Sequence, residues 1–103
     1  MMREQSVRDF KITPNQYQLF RFTVTHQTKL LIRMIATAPV NLILLDSEER
    51  ADYESRTSST HSYTAAWGRR SYLEESVKVD PGTWYLIVEG SKEPSSGRIW
   101  VFE

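Results

Sequence analysis

A period-two repeat of large side chains in the last third of the chain limits the fold more than any other feature of the sequence. Every second residue from 84 to 88 is a large apolar one, and Arg98, Trp100 and Phe102 repeat that spacing. A period of two places side chains on one face of a β-strand. The Pro81-Gly82 pair ahead of the first series is typical of a tight turn. The pattern predicts two strands, and we expect Trp84 and Trp100 to lie in the core.

Six more segments of the chain alternate or form short apolar runs between turn residues. Residues 29–37 are also compatible with a helix, but the β-branched Ile32 and Ile35 favour a strand. Pro39 cannot lie within a central strand, so we expect it to begin the next one. The sequence therefore predicts about eight strands, at residues 7–12, 17–26, 29–37, 40–46, 63–67, 71–79, 83–89 and 98–102.

The size and composition of the chain indicate one domain that folds by packing alone. Its 103 residues suffice for one two-layer structure, and it contains no cysteine for disulfides or thiolate metal sites. We predict an all-β fold over residues 1–103, an antiparallel β-sandwich of the jelly-roll type. Residues 47–60 are polar and predict a long loop or a single helical turn, a connection long enough to carry function.

The charge and hydropathy patterns exclude several partners. Thirteen basic and thirteen acidic residues cancel, so we expect no nucleic-acid binding, which usually needs a basic excess. The longest apolar stretch is far shorter than the roughly 20 residues of a membrane helix, so we expect no membrane insertion. The first residues lack the apolar region of a secretory signal, which predicts a cytoplasmic protein.

The sequence contains no recognisable catalytic motif. His26 and His61 are the only histidines, and no G-x-S-x-G nucleophile motif is present. Acidic residues cluster at 46–54, but they lack the calcium-loop spacing and stand beside Arg50 and Arg56, which compete for the carboxylates. We predict no enzyme activity, no cofactor and no metal site.

Aromatic residues around the long polar segment are the best candidates for a binding site. Exposed aromatic side chains beside arginine are typical of binding hot spots, because they bury a large area at a small entropic cost. Packing of some of these residues in a satellite core is the alternative. The predicted site lies in residues 47–70 and comprises Tyr53, His61, Tyr63, Trp67, Arg69 and Arg70.

Two family resemblances rest on short motifs of the chain. The order of motifs across residues 29–103 resembles the bacterial domain of unknown function 1883, which implies a small β domain found alone or fused to TIR domains. That resemblance is carried by residues 40–46, Tyr53, His61 to Tyr63, Gly68, residues 81–90 and residues 96–101. Residues 22–25, 42–46 and 82–88 resemble, more loosely, the pre-peptidase C-terminal and Golgi-dynamics types of sandwich. Both resemblances imply an accessory or interaction role.

These observations lead to one functional hypothesis and two alternatives. The first is a non-catalytic recognition or adaptor domain that binds a protein partner, which the resemblance suggests is a TIR-type effector. The second is a carbohydrate- or small-ligand-binding module that uses the same aromatic residues. The third is a structural subunit that forms homo-oligomers through exposed strands.

Overall fold

The computed structural model describes residues 3–55 and 63–103 of the chain. It contains six antiparallel strands and one helix, in the order β1 (Glu4–Ile12), β2 (Tyr17–Val24), β3 (Thr28–Leu45), α1 (Ser47–Ser55), β4 (Ala65–Val79), β5 (Gly82–Gly90) and β6 (Ser95–Phe102). The all-β class predicted from the alternation is confirmed, with six strands in place of about eight. Among the described residues, the one helix is too short and too polar to cross a lipid bilayer.

The sheet folds into two layers because β3 and β4 run through both of them. In the first layer, the first half of β3 lies between β6 and the second half of β4, and β1 pairs with the far edge of β6. In the second layer, the second half of β3 lies between β5 and the first half of β4, and β2 pairs with β5. The main core lies between the layers.

β1 and β2 bring the two layers together on one side without a backbone ladder. The side-chain amide of Gln18 donates to the backbone carbonyl of Lys11 at 3.0 Å, and the side-chain amide of Gln5 donates to the backbone carbonyl of Thr23 at 2.5 Å. The sheet is therefore nearly barrel-like. Within the described residues β1, β2 and β4 each have one partner strand, and side-chain hydrogen bonds link the outer edges of β1 and β2.

The prediction that Pro39 begins a new strand is wrong, because β3 continues through it. Even-numbered residues from Leu30 to Leu44 point to the core without a break in period. Pairing with β6 ends at Ala36 and pairing with β5 begins at Val40, so residues 37–39 have no ladder partner. The missing N–H of Pro39 therefore removes no ladder hydrogen bond.

Buried Ser95 replaces the ladder at this crossing point. The Ala38 amide donates to its hydroxyl oxygen at 3.1 Å, and the hydroxyl donates to the Ala38 carbonyl at 2.7 Å. Both backbone groups of Ala38 are thus satisfied where the strand changes layers.

The two strands predicted at residues 63–67 and 71–79 are also one, β4. The register moves from Leu42 opposite Trp67 to Val40 opposite Arg70, which leaves one extra residue on β4. Such a bulge bends a strand without ending it. This merger and the merger within β3 account for the difference between eight strands and six.

The polar segment after β3 forms a nine-residue helix, longer than the single turn expected. Asp46 caps it: its carboxylate accepts from the Glu49 amide at 2.8 Å, and the Glu49 carboxylate accepts from the Asp46 amide at 3.0 Å. This reciprocal capping box satisfies two backbone donors. Burial of Tyr53 on the inner side of α1 then fixes the helix to the sheet.

Candidate functional site

Tyr53, the first residue of the predicted site, is part of the fold. It is buried with Ile43, Leu45 and Ile87 in a small second core under α1. Its hydroxyl donates to the Glu89 carboxylate at 2.5 Å. The ring also meets the ring of Tyr17 edge-on, with centroids 5.4 Å apart.

The other predicted residues fall on or beside the first half of β4. Trp67 is half-buried and packs against the main core, whereas Arg69 and Arg70 are exposed. Tyr63 precedes the strand and is 54% exposed. His61 lies outside the described residues. The structure thus brings Trp67, Arg69 and Arg70 onto one stretch of strand and separates Tyr53 from them.

Arg69 holds the left-handed backbone conformation that the β4 bulge requires. Its φ is 53°, which is uncommon for a residue with a side-chain Cβ. The side-chain oxygen of Asn41 accepts from the Arg69 amide at 2.8 Å and secures this geometry.

We expect Arg69→Gly to leave the free energy of unfolding unchanged or to raise it, and Arg69→Val to lower it by about 1–2 kcal/mol. Glycine accepts a positive φ, whereas a β-branched side chain resists it. Urea denaturation of both variants measures the difference. The same two changes at Arg70, whose φ is not positive, should give the reverse order, since valine favours a strand. Equal stability of Arg69→Gly and Arg69→Val would contradict the role given to the bulge.

The outer face of the first layer is a surface that the sequence did not predict as a binding site. We call it the open face. Residues opposite the buried rows of the strands form it: Glu4, odd-numbered residues 7–11 of β1 and 29–35 of β3, and even-numbered residues 72–78 of β4 and 98–102 of β6.

Apolar and aromatic side chains occupy the centre of the open face. Ile35 is 52% exposed and stands opposite Tyr72, which is 58% exposed. Trp100 lies one row away on β6 and is half-buried. A shallow groove of about 380 Å³ lies between Ile35 and Trp100. Exposed side chains of this size on one sheet face are typical of interaction surfaces.

Two ion pairs flank this centre and fix the orientation of their arginines. Arg98 meets both carboxylate oxygens of Asp9, at 2.5 and 3.3 Å. Through its hydrogen bond, the guanidinium lowers the pKa of Asp9, and the carboxylate raises the pKa of Arg98. Arg98 also lies over the ring of Trp100, 6.0 Å from its centroid.

The second pair joins Arg33 of β3 to Glu74 of β4 at 3.1 Å. Glu74 also accepts a hydrogen bond from the Tyr72 hydroxyl at 3.1 Å, and this bond raises the pKa of Tyr72. Arg33 lies over the ring of Phe102, 5.8 Å from its centroid. Each aromatic side chain of the open face therefore contacts a member of an ion pair: Trp100 and Phe102 lie beside arginines, and Tyr72 bonds to Glu74.

The prediction of Trp100 in the core is wrong, and the prediction of Trp84 is confirmed. Trp84 is buried and donates its indole N–H to the Asp80 carbonyl at 2.9 Å. On β6, Ile99 and Val101 face the core instead of Trp100. Both sets of alternate β6 residues are apolar, so hydropathy alone does not decide which set is buried. Arg98, in the same row as Trp100, is the sequence signal for the outward row.

Comparison with known proteins supports the fold and assigns no family. The sequence matches no known protein family, and no curated protein is similar to it. The fold is similar to that of the pre-peptidase C-terminal domain of a collagenase from Bacillus anthracis, with a TM-score of 0.66 and 15% identity over 94% of this chain and 88% of that one. A carbohydrate-binding module of Cellvibrio mixtus lichenase 5A, in complex with cellotriose, matches with a TM-score of 0.48 and 8% identity over 98% and 89% of the two chains.

The likeness to the pre-peptidase domain shows a shared β-sandwich fold and no more, because the identity is so low. It agrees with the looser of the two resemblances in the sequence. Membership in the domain of unknown function 1883, and the TIR-type partner which that resemblance implies, stay predictions.

Proposed function

We propose that the chain is a non-catalytic recognition domain that binds a protein partner through the open face. One observation carries the proposal: a helix covers the outer face of one layer of the sandwich, and the outer face of the other layer is uncovered among the described residues. α1 covers the apolar side chains of the second layer, among them Ile43, Leu45 and Ile87. Ile35, Tyr72 and Trp100 on the first layer have no such cover among the described residues.

The composition of the open face supports a protein partner. Tryptophan, tyrosine and arginine are the residue types that most often dominate interface energetics, particularly near the centre of an interface. Here Trp100, Tyr72 and the two paired arginines surround an exposed isoleucine. Because the ion pairs already restrict the arginines, less side-chain entropy is lost when a partner binds.

The exposed edge of β4 is a less suitable surface than the face. Glu75 lies in the inward-pointing row of this strand, opposite Ile32, and the Arg69 bulge interrupts the strand's regular pairing. An inward charge and a bulge are two of the features by which proteins prevent strand addition at an edge. This argues against homo-oligomers built by edge pairing.

Carbohydrate binding is a second candidate because of the groove on the open face. One wall is Trp100, and the groove is also lined by the Arg98–Asp9 pair and by Thr37 and Ser96. An aromatic ring beside oriented donors and acceptors suits a neutral ligand with many hydroxyl groups. Protein binding is preferred because the groove is shallow and the apolar area continues beyond it to Tyr72.

Three tyrosines of similar exposure on different surfaces allow a matched test. Tyr72 lies on the open face, Tyr63 in the surface predicted from the sequence, and Tyr17 beside α1; they are 58%, 54% and 49% exposed. Each is changed to serine, and capture of proteins from native lysate is quantified against the wild type. We expect Tyr72→Ser to lower the affinity for the captured partner about tenfold or more, as a hot-spot residue should. We expect the other two variants to bind as the wild type does.

The double variant Tyr72→Ser/Trp100→Ser should abolish capture while retaining a folded circular dichroism spectrum. Loss of capture in Tyr63→Ser alone would place the site in residues 47–70 and overturn the proposal. A glycan array distinguishes the second candidate: binding of a neutral oligosaccharide that is lost in Trp100→Ser, with no protein captured, would show a carbohydrate module instead.

A further inference from the structure

The open face is basic although the chain as a whole is neutral. It carries three acidic residues, Glu4, Asp9 and Glu74, and five basic ones, Lys11, Lys29, Arg33, Lys78 and Arg98, which leaves two positive charges (5 − 3). The chain has thirteen residues of each sign. Three of its four lysines lie on this one face.

Those three lysines lack carboxylate partners within the described residues, whereas both arginines of the face have one. Lys29 and Lys78 also stand directly opposite each other on β3 and β4. Like charges in such a cross-strand pair destabilise a sheet. A carboxylate from another molecule would relieve this repulsion, so the pair favours an anionic ligand.

Five of the thirteen acidic residues lie close together on the opposite side of the molecule. Residues 46–55, the cap and body of α1, contain five carboxylates and the single basic residue Arg50. An acidic partner is repelled from this side and attracted to the open face, so the charge distribution would orient the encounter.

We propose that the partner of the open face is a protein that presents an acidic segment, whose carboxylates meet Lys11, Lys29 and Lys78 around the apolar centre. This inference rests on the proposed function and specifies its partner. A nucleic acid fits less well, because a phosphate backbone needs a continuous basic track. Here Asp9 and Glu74 interrupt the track and neutralise both arginines.

Lysine variants of the full chain test the inference with poly-L-glutamate as the probe. The triple variant Lys11→Gln/Lys29→Gln/Lys78→Gln should weaken binding about tenfold, since each exposed charge contributes modestly. Lys92→Gln, which removes the one lysine outside the open face, is the matched control and should bind as the wild type does. Raising the salt concentration from about 20 to about 200 mM should weaken wild-type binding more than binding by the triple variant.

The thermal stability of the domain without any ligand tests the repulsion between Lys29 and Lys78. Lys78→Gln should raise the Tm by a few degrees, and adding Lys29→Gln should raise it little further, because either change removes the same repulsion. Lys92→Gln should leave the Tm unchanged. A Tm that falls in Lys78→Gln would contradict the stated role of the pair.

Other outcomes overturn the inference. One is that the chain does not bind poly-L-glutamate at low salt. Another is that Lys92→Gln weakens this binding as much as the triple variant does. A third is that a single-stranded thymidine oligonucleotide binds more tightly than poly-L-glutamate. Self-association in light scattering that the triple variant abolishes would identify a second copy as the occupant. If the triple variant binds the captured partner normally while Tyr72→Ser does not, the acidic partner is excluded and the proposed function stands.

Discussion

Gly97→Ala should lower the free energy of unfolding by about 3 kcal/mol, at the upper end of the usual cost of overpacking. Gly97 is the β6 residue opposite Ala36, at the last pair before β3 leaves the first layer. A Cβ there would overlap the carbonyl oxygen of Ile35, and it would lie 2.7 Å from the ring of Phe10 and 2.9 Å from the Ala36 Cα. Two of these atoms belong to backbone that cannot move without breaking the ladder. Urea denaturation followed by far-UV circular dichroism measures the loss.

Gly68→Ala is the matched control for this prediction. Its added Cβ would meet one atom, the side-chain oxygen of Asn41 at 3.6 Å, which is an ordinary contact distance. We therefore expect a change of less than about 1 kcal/mol, because alanine also restricts the unfolded chain. Equal losses in the two variants would show that the close approach of β6 to β3 is not what requires glycine at position 97.

Tyr53→Ala should cost about 3–4 kcal/mol, the typical range for truncating a large buried aromatic side chain. Tyr53 is the residue of α1 that is buried in the second core, and it is 3% exposed. Without its ring, Ile43 and Ile87 lose their cover and α1 loses its anchor. The same denaturation experiment gives the loss in stability, and limited proteolysis in residues 47–55 detects release of the helix.

Tyr53→Phe and Tyr17→Ala separate the effect of the Tyr53 hydroxyl and of its neighbouring ring from that of the whole Tyr53 side chain. Tyr53→Phe removes only the hydroxyl that donates to Glu89, so we expect a loss of about 1–2 kcal/mol. Tyr17→Ala removes the half-exposed ring that meets Tyr53 edge-on, and it should cost less than Tyr53→Ala. If Tyr53→Ala were no more destabilising than Tyr17→Ala, α1 would not be a cover for the second layer.

The fold class could be predicted from the sequence because alternation is a local signal. Leu30, Ile32 and Met34 mark the core face of β3 with no knowledge of its partners. The strand count could not be predicted, because Pro39 and the residues at 68–70 are typical of strand ends. Whether a proline ends a strand depends on whether its N–H is needed, and that depends on where β6 and β5 pair with β3.

The length of α1 could not be predicted from the sequence for a related reason. Its cap begins at Asp46, one residue before the segment interpreted as polar loop, and the Asp46–Glu49 pair is a recognisable capping box. Its stability, however, depends on the burial of Tyr53 against Ile87, a contact between distant parts of the chain. Most helical stability in proteins comes from such packing.

The open face could not be predicted from the sequence, because its residues come from four strands. Asp9 and Arg98 are 89 positions apart, and Arg33 and Glu74 are 41 apart, yet each pair forms an ion pair. No local motif links them. The aromatic residues around 47–70 are close together in the sequence and so form a local signal, but Tyr53 among them is buried in the second core.

An NMR titration of the labelled domain with the captured partner tests the central claim most directly. Chemical-shift changes are expected at Ile35, Tyr72 and Trp100 and at their neighbours across the first layer, with no change along α1. Changes concentrated in residues 46–55 and 63–70, with the first layer unaffected, would contradict the assignment of binding to the uncovered side of the sandwich.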